Sequence, residues 1–271
     1  MAEVERYVAM ATEGGVVQAI YPEGGLTKDG ALRTPRLGLL DYMTRAFDPK
    51  GERDIVFIPV GINYDRTFED RSQVLALDAE APRHGAGFAV ATSLGFLLRN
   101  LLLMLRRRWY RFGYACVNFG SPLSMRAYSR ERGVDLRTLP REERFLEVEK
   151  LAEALMRSVG RVVPVLPVSL VATALLRFPG GGCSELELKA GALRLIGELS
   201  GAGAQIHIPR ADQDYAVTVG LRMLILRKFV SEKDGLFSPV PEELPLLRYY
   251  ANSIRHLFPA TAAGGPRIGE R

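Results

Sequence analysis

The chain has 271 residues, 47% of them hydrophobic, with a net charge of +5, and its mean hydropathy of +0.02 leaves ample apolar material for one large core or two smaller ones. Two cysteines, Cys116 and Cys183, exclude a disulfide framework and a cysteine-rich metal site, and suit a reducing compartment. The first residues carry neither a basic nor an apolar signal region, no internal repeat is visible, and the basic balance favours anionic partners: phosphate-bearing substrates, acidic carrier proteins or anionic lipid.

Residues 4–13 are helix-compatible and stop at Gly14-Gly15, a plausible C-cap. Residues 16–21 then read as a short buried strand that runs into the turn Tyr21-Pro22-Glu23-Gly24-Gly25. A carboxylate, Glu23, sits in that turn, and Lys28 follows it. The carboxyl ends of strands in open α/β sheets are where ligands bind, although a Gly-Gly turn is also ordinary turn chemistry. Arg33-Thr34-Pro35-Arg36 opens a helix running to about residue 43, with Pro35 in its first turn. The apolar run from Asp54 to Tyr64 predicts a strand buried on both faces, and strand, loop, helix and strand together predict a mainly parallel sheet.

Residues 88–105 are almost wholly apolar and lead into Arg106-Arg107-Arg108-Trp109-Tyr110, a basic and aromatic flank of the kind found at membrane interfaces. A central Arg99 would cost about 2.5–3.5 kcal/mol in a span. The segment therefore reads as an in-plane or half-inserted membrane anchor, with a span or a buried core helix as alternatives. Tyr114 to Pro122 is a further strand. Residues 126–149 read as a charged linker into a helix around 141–158, and the two prolines of 161–167 mark a boundary. Beyond it the signals are helical: a capping box at Ser184-Glu185-Leu186-Glu187 opens a helix to about 199, and 213–231 and 241–258 follow with helical spacing. This gives an α/β part over 1–160, a helical region over 161–263 and a disordered tail over 264–271.

Four segments, in this order, resemble the bacterial glycerol-3-phosphate acyltransferases of the glycerolipid acyltransferase superfamily. Tyr21-Pro22-Glu23-Gly24-Gly25 is similar to the superfamily's aromatic-x-Glu-Gly motif, and Ile58-Pro59-Val60 to its apolar-Pro-apolar strand, Pro59 being the structural mark. Tyr114–Pro122 resembles the "GYVNFGEP" strand, and 247–257 the "YYxNxxxH" helix, with Tyr249, Tyr250, Asn252 and His256 in place. The resemblance implies a partial acyltransferase-like α/β fold followed by helices. It also implies transfer of a fatty acyl group from acyl-CoA or acyl carrier protein to glycerol-3-phosphate, at the cytoplasmic face of an anionic membrane, without a cofactor, a metal or a nucleic acid. Glu23, Gly24 and Gly25 would lie at the acceptor site, with Lys28 or Arg36 holding the phosphate. Leu26 stands where that family usually has Arg, and a lysine would act as a point charge where an arginine offers a bidentate fork.

The family's catalytic His-x-x-x-x-Asp precedes the Glu-Gly loop, whereas none of the three histidines here precedes His84. His207 and Asp212 have the spacing but follow the loop, with Pro209 between them. The resemblance therefore implies a truncated gene model, or a fragment that is inactive alone and needs a complementary N-terminal chain. A non-catalytic, membrane-associated phosphate or lipid platform and a lysophosphatidate acyltransferase are the alternative readings.

Overall fold

The computed structural model describes residues 2–67, 69–75, 113–178 and 182–258. The expected anchor, including Arg106, Arg107, Arg108, Trp109 and Tyr110, and the expected tail lie outside those residues. Among the described residues no helix is long and apolar enough to cross a membrane.

The N-terminal part is built around α5 (Arg141–Val162). Its buried positions Val148, Leu151, Ala152 and Leu155 recur at helical spacing, so one stripe faces inward. Against that stripe lie α1 (Ala2–Glu13), α2 (Gly38–Thr44) and α4 (Met125–Arg132), which contribute Val8, Leu40, Met43 and the fully buried Met125. Arg144 bonds the buried Asp41 at 2.9 Å and ties α5 to α2. The linker expected at 126–149 is thus partly helical. Ser124 caps α4 by accepting from the Ala127 amide, and Gly133 ends it in the left-handed conformation.

The α/β class and the helical C-terminal part are as the sequence predicts. The strand pairing differs. β2 (Val60–Tyr64) pairs antiparallel with β3 (Ala115–Phe119), and β1 (Val56–Phe57) pairs antiparallel with β4 (Leu123–Ser124). Among the described residues the parallel contact is a single bridge, Val165 with Ile206. Residues 16–21 form no strand and join no ladder, and Val17 is 98% exposed. Their start is occupied in closing α1, where the Val16 amide donates to the Ala11 carbonyl at 2.9 Å. The run 54–64 breaks at Ile58-Pro59, because Pro59 has no amide to give a ladder. Its burial alternates, so one face of the ribbon is exposed and the strand is not buried on both sides as expected.

The second core surrounds α6 (Pro167–Leu176), which is buried along almost its whole length. Pro167 occupies the first turn, where a missing amide costs nothing. Around α6 pack α7 (Glu185–Gly201), α8 (Gln213–Leu226) and α9 (Leu244–Asn252), contributing Leu188, Leu195, Val217, Leu224 and Leu247, and the short α3 (Asp70–Leu75) lies against α9. The Ser184 capping box is present. A small antiparallel sheet of β5 (Cys183–Ser184), β7 (Leu236–Pro239) and β6 (Val230–Lys233) closes one side.

The two parts meet across the ribbon. Gly61 lies so close to Val162 that any side chain there would strike its carbonyl. Asn63 Nδ2 donates to the Pro164 carbonyl at 2.9 Å and Asn118 Nδ2 to the Val162 carbonyl at 3.1 Å. Asp65 is fully buried and accepts from the amides of Val168, at the start of α6, and Tyr114.

Candidate functional site

The segment 22–36 forms a closed loop between α1 and α2. Pro22 and Glu23 are the central residues of a tight turn, in which the Gly24 amide donates to the Tyr21 carbonyl at 2.9 Å. Gly24 has a φ of +67°, which favours glycine there. The base of the loop is closed by the Arg36 amide, which donates to the Pro22 carbonyl at 2.7 Å. This closure occupies residues 33–36, so α2 begins at Gly38 and not at Pro35 as the sequence suggests. The tip is stiffened from within: the Thr27 hydroxyl donates to the Ala31 carbonyl at 2.9 Å, and the Ala31 amide donates to Asp29 Oδ1 at 3.1 Å.

Glu23 is half-buried. Burial raises its pKa, while a hydrogen bond donated by the Arg33 backbone amide and the charge of the Arg33 guanidinium work in the opposite direction, and Asp29 adds a smaller upward push. Arg36 lies across the turn, where a Cβ on Gly24 would strike its side chain. Arg33 also reaches the Leu26 carbonyl at 3.3 Å. The loop therefore brings together Glu23, Gly24, Gly25 and Arg36, with Lys28 exposed on the same loop. The Arg33 guanidinium beside the Glu23 carboxylate and the Arg36 side chain against Gly24, on backbone held by its own hydrogen bonds, can grip an anion while the carboxylate accepts from a hydroxyl.

Arg33 is the participant that sequence reasoning missed. Its proximity to the Glu-Gly turn exists only once the loop has closed, although the Arg33-Thr34-Pro35-Arg36 run marks a basic stretch. Pro59 belongs elsewhere: it is buried at the β1–β2 junction, where its carbonyl accepts from the Gly120 amide at 2.8 Å. The His207/Asp212 pair has structural partners. Asp212 caps α8 by accepting from the Tyr215 amide, and the His207 ring lies 4.7 Å from that of Tyr114. Among the described residues no group of His, Cys, Asp and Glu could hold a metal ion.

An open pocket of about 450 Å3 adjoins the loop. Tyr21, Pro22 and Arg36 line it on the loop side, and Val4, Leu39 and Leu155 line it from the helices. Its wall is apolar, with a guanidinium among the lining side chains.

An apolar pocket thus adjoins a loop that carries a carboxylate and two arginines, in an α/β chain with a helical C-terminal part. The family is more specific: residues 97–263 match the model of the glycerol-3-phosphate acyltransferase C-terminal region, and the chain belongs to that family. It is similar to the glycerol-3-phosphate acyltransferase of Pseudomonas entomophila, 26% identical over 251 residues, which cover 88% of this chain and 28% of that protein. The glycerol-3-phosphate acyltransferase of Xanthomonas axonopodis pv. citri is 23% identical over 270 residues, 96% of this chain and 29% of that protein. That of Alteromonas mediterranea is 25% identical over 272 residues, 95% of this chain and 31% of that protein. The chain thus spans less than a third of the length of these relatives.

Proposed function

We propose that this chain is part of an acyltransferase of phospholipid biosynthesis, which moves a fatty acyl group from acyl-CoA or acyl carrier protein to glycerol-3-phosphate at the cytoplasmic face of a membrane. Loop 22–36 receives the acceptor. The observation that carries this reading is the closed loop that sets Arg33 beside Glu23 and packs Arg36 against Gly24, in a member of this family.

The chemistry sets the roles. The acceptor hydroxyl oxygen attacks the thioester carbonyl carbon, the carbon–sulfur bond breaks, and the proton lost by the hydroxyl ends on the departing thiolate. Arg33 and Arg36 hold the phosphate by charge-assisted hydrogen bonds. Glu23 accepts a hydrogen bond from the glycerol and orients the hydroxyl that reacts. The apolar pocket beside the loop gives the acyl chain a surface out of water. The base that takes the proton is that of the family's His-x-x-x-x-Asp, which lies outside these 271 residues, in the same polypeptide or in a complementary one. The exposed apolar face of the β2–β3 ribbon is a surface that such a segment would cover.

Glycerol-3-phosphate should raise the melting temperature of the purified chain by mass action. Arg33→Ala and Glu23→Gln should each weaken that rise by about tenfold in apparent affinity, the scale of one lost charged hydrogen bond. A parent protein whose melting is unmoved by millimolar glycerol-3-phosphate would overturn the acceptor role of the loop.

A further inference from the structure

The loop does not stand alone. Its tip lies on α9, more than two hundred residues further along the chain. Asn252 Nδ2 donates to the Asp29 carbonyl at 2.9 Å. Gly30, with a φ of +83°, is seated against the backbone of Tyr249, and any Cβ there would strike the Tyr249 carbonyl. Leu32 reaches the flat spot left by Gly160 on α5, where His256 arrives from the other side and bonds the Gly160 carbonyl through Nε2 at 2.9 Å. Because that carbonyl can only accept, Nε2 carries the proton. The last turn of α9 thus meets the loop tip through the Tyr249 backbone and the Asn252 side chain, and His256, in the turn after α9, bonds the α5 carbonyl beside which Leu32 lies.

The opposite face is fixed from behind. Leu246, Leu247 and Tyr250 are buried in the second core. The Tyr250 hydroxyl bonds Asp70, accepts from Arg227 at 2.7 Å and accepts from the Thr67 amide at 3.2 Å. Asn63 bonds Ser253 at 3.2 Å. A helix anchored on one side and in contact with a stiff loop tip on the other can set where that tip stands. From Asp29 only four residues lead to Arg33, whose amide holds Glu23.

On these contacts we infer that α9 and the turn after it position the acceptor loop, and that Asn252 is the positioning residue that registers Glu23 and Arg33 against the rest of the site. This rests on the reading of 22–36 as the acceptor loop. It assigns the C-terminal helix a part in acceptor affinity, although the helix itself does not contribute a side chain to the carboxylate–arginine cluster.

The test uses the whole chain with Asn252→Ala and Asn252→Asp. The second keeps the size and removes the donor. Hydrogen exchange at the Arg33 and Arg36 amides should quicken about fivefold in both variants, the effect of one hydrogen bond, while core amides such as that of Val217 keep their protection. The dissociation constant for glycerol-3-phosphate, measured by calorimetry, should rise by a similar factor in both. Exchange at Arg33 and Arg36 that matches the parent in both variants would overturn the proposal, as would faster exchange with unchanged glycerol-3-phosphate affinity. Faster exchange in a chain whose parent form binds no glycerol-3-phosphate would support the positioning of the loop and overturn its role as acceptor site, so the two failures are distinguishable.

Discussion

Asp65 has no exposed surface, and each of its oxygens accepts a backbone amide: Oδ1 from Val168 at 2.9 Å and Oδ2 from Tyr114 at 3.0 Å. It joins the end of β2, the start of β3 and the N-terminus of α6, where the amide dipoles favour a negative charge. Burial outweighs those bonds and raises its pKa from 3.8 to about 6. The folded carboxyl therefore keeps its proton in a window where the unfolded one has released it. Stability falls as pH rises from about 4 to about 6 and is level above that, a loss of about 3 kcal/mol at most. Carboxylates such as Asp48 and Glu147, held low chiefly by hydrogen bonds to their charge, act in the opposite sense at lower pH. The clean measurement is thus a difference. Across urea titrations at pH 4 to 7, the parent chain should lose stability relative to Asp65→Asn as pH rises; a flat difference would show that Asp65 does not titrate in that window. Asp65 does not stand out in the sequence, because its two amide partners come from segments 49 and 103 residues away. Glu23 does stand out, because its turn is local: Pro, Glu and Gly fall at successive turn positions. Arg33 sits between these cases, close in sequence yet brought to Glu23 only by loop closure.

At the scale of elements, those with local causes were readable. α7 announces itself through Ser184 and Glu187, which cap it reciprocally. α5 shows a regular apolar stripe, and α1 stops at its glycine pair. What failed was orientation and pairing. Residues 16–21 have strand-like composition, but β propensity expresses fit to neighbours, and no described strand lies beside them. The helix expected over 213–231 ends at Leu226, and the chain turns into the β6–β7 hairpin. There Asp234 and Gly235, with φ of 53° and 76°, form the left-handed pair that such hairpins favour. The Asp-Gly pair is the local sequence mark of that hairpin, whereas the apolar spacing of 213–231 does not show where the helix stops. α6 lacks an amphipathic period because it is buried on all sides, so only packing reveals its role. α8 crosses it at Gly220, where a Cβ would strike the Pro167 carbonyl and press on Val171. Gly220→Ala improves intrinsic helix propensity by about 1 kcal/mol, yet the overpacked crossing should cost about 1–3 kcal/mol. Denaturant unfolding should therefore show net destabilisation; a more stable variant would mean that α6 and α8 can separate at little cost.

The whole molecule has an inverted ribbon at its centre. Alternation along β2 and β3 places the polar Asn63 and Asn118 on the inner face, where they bond carbonyls at the end of α5 and just beyond it. The apolar Val60, Ile62, Tyr64, Val117 and Phe119 point outward, with Phe119 71% exposed. Water-facing sheet surfaces of antiparallel ribbons are usually the polar ones, so an apolar outer face on a two-stranded ribbon is a surface shaped for cover. In the proposed function that cover is the segment, of the same polypeptide or another, that brings the His-x-x-x-x-Asp base to loop 22–36. Ile62→Asp combined with Phe119→Asp should then leave the isolated chain's unfolding free energy within about 0.5 kcal/mol of the parent, as exposed sites do. The same pair should abolish co-purification with a co-expressed polypeptide that carries His-x-x-x-x-Asp, together with any acyl transfer the two restore. A loss of about 2 kcal/mol or more in the isolated chain would place the face inside this chain's own core. Undiminished co-purification would put the contact on another surface.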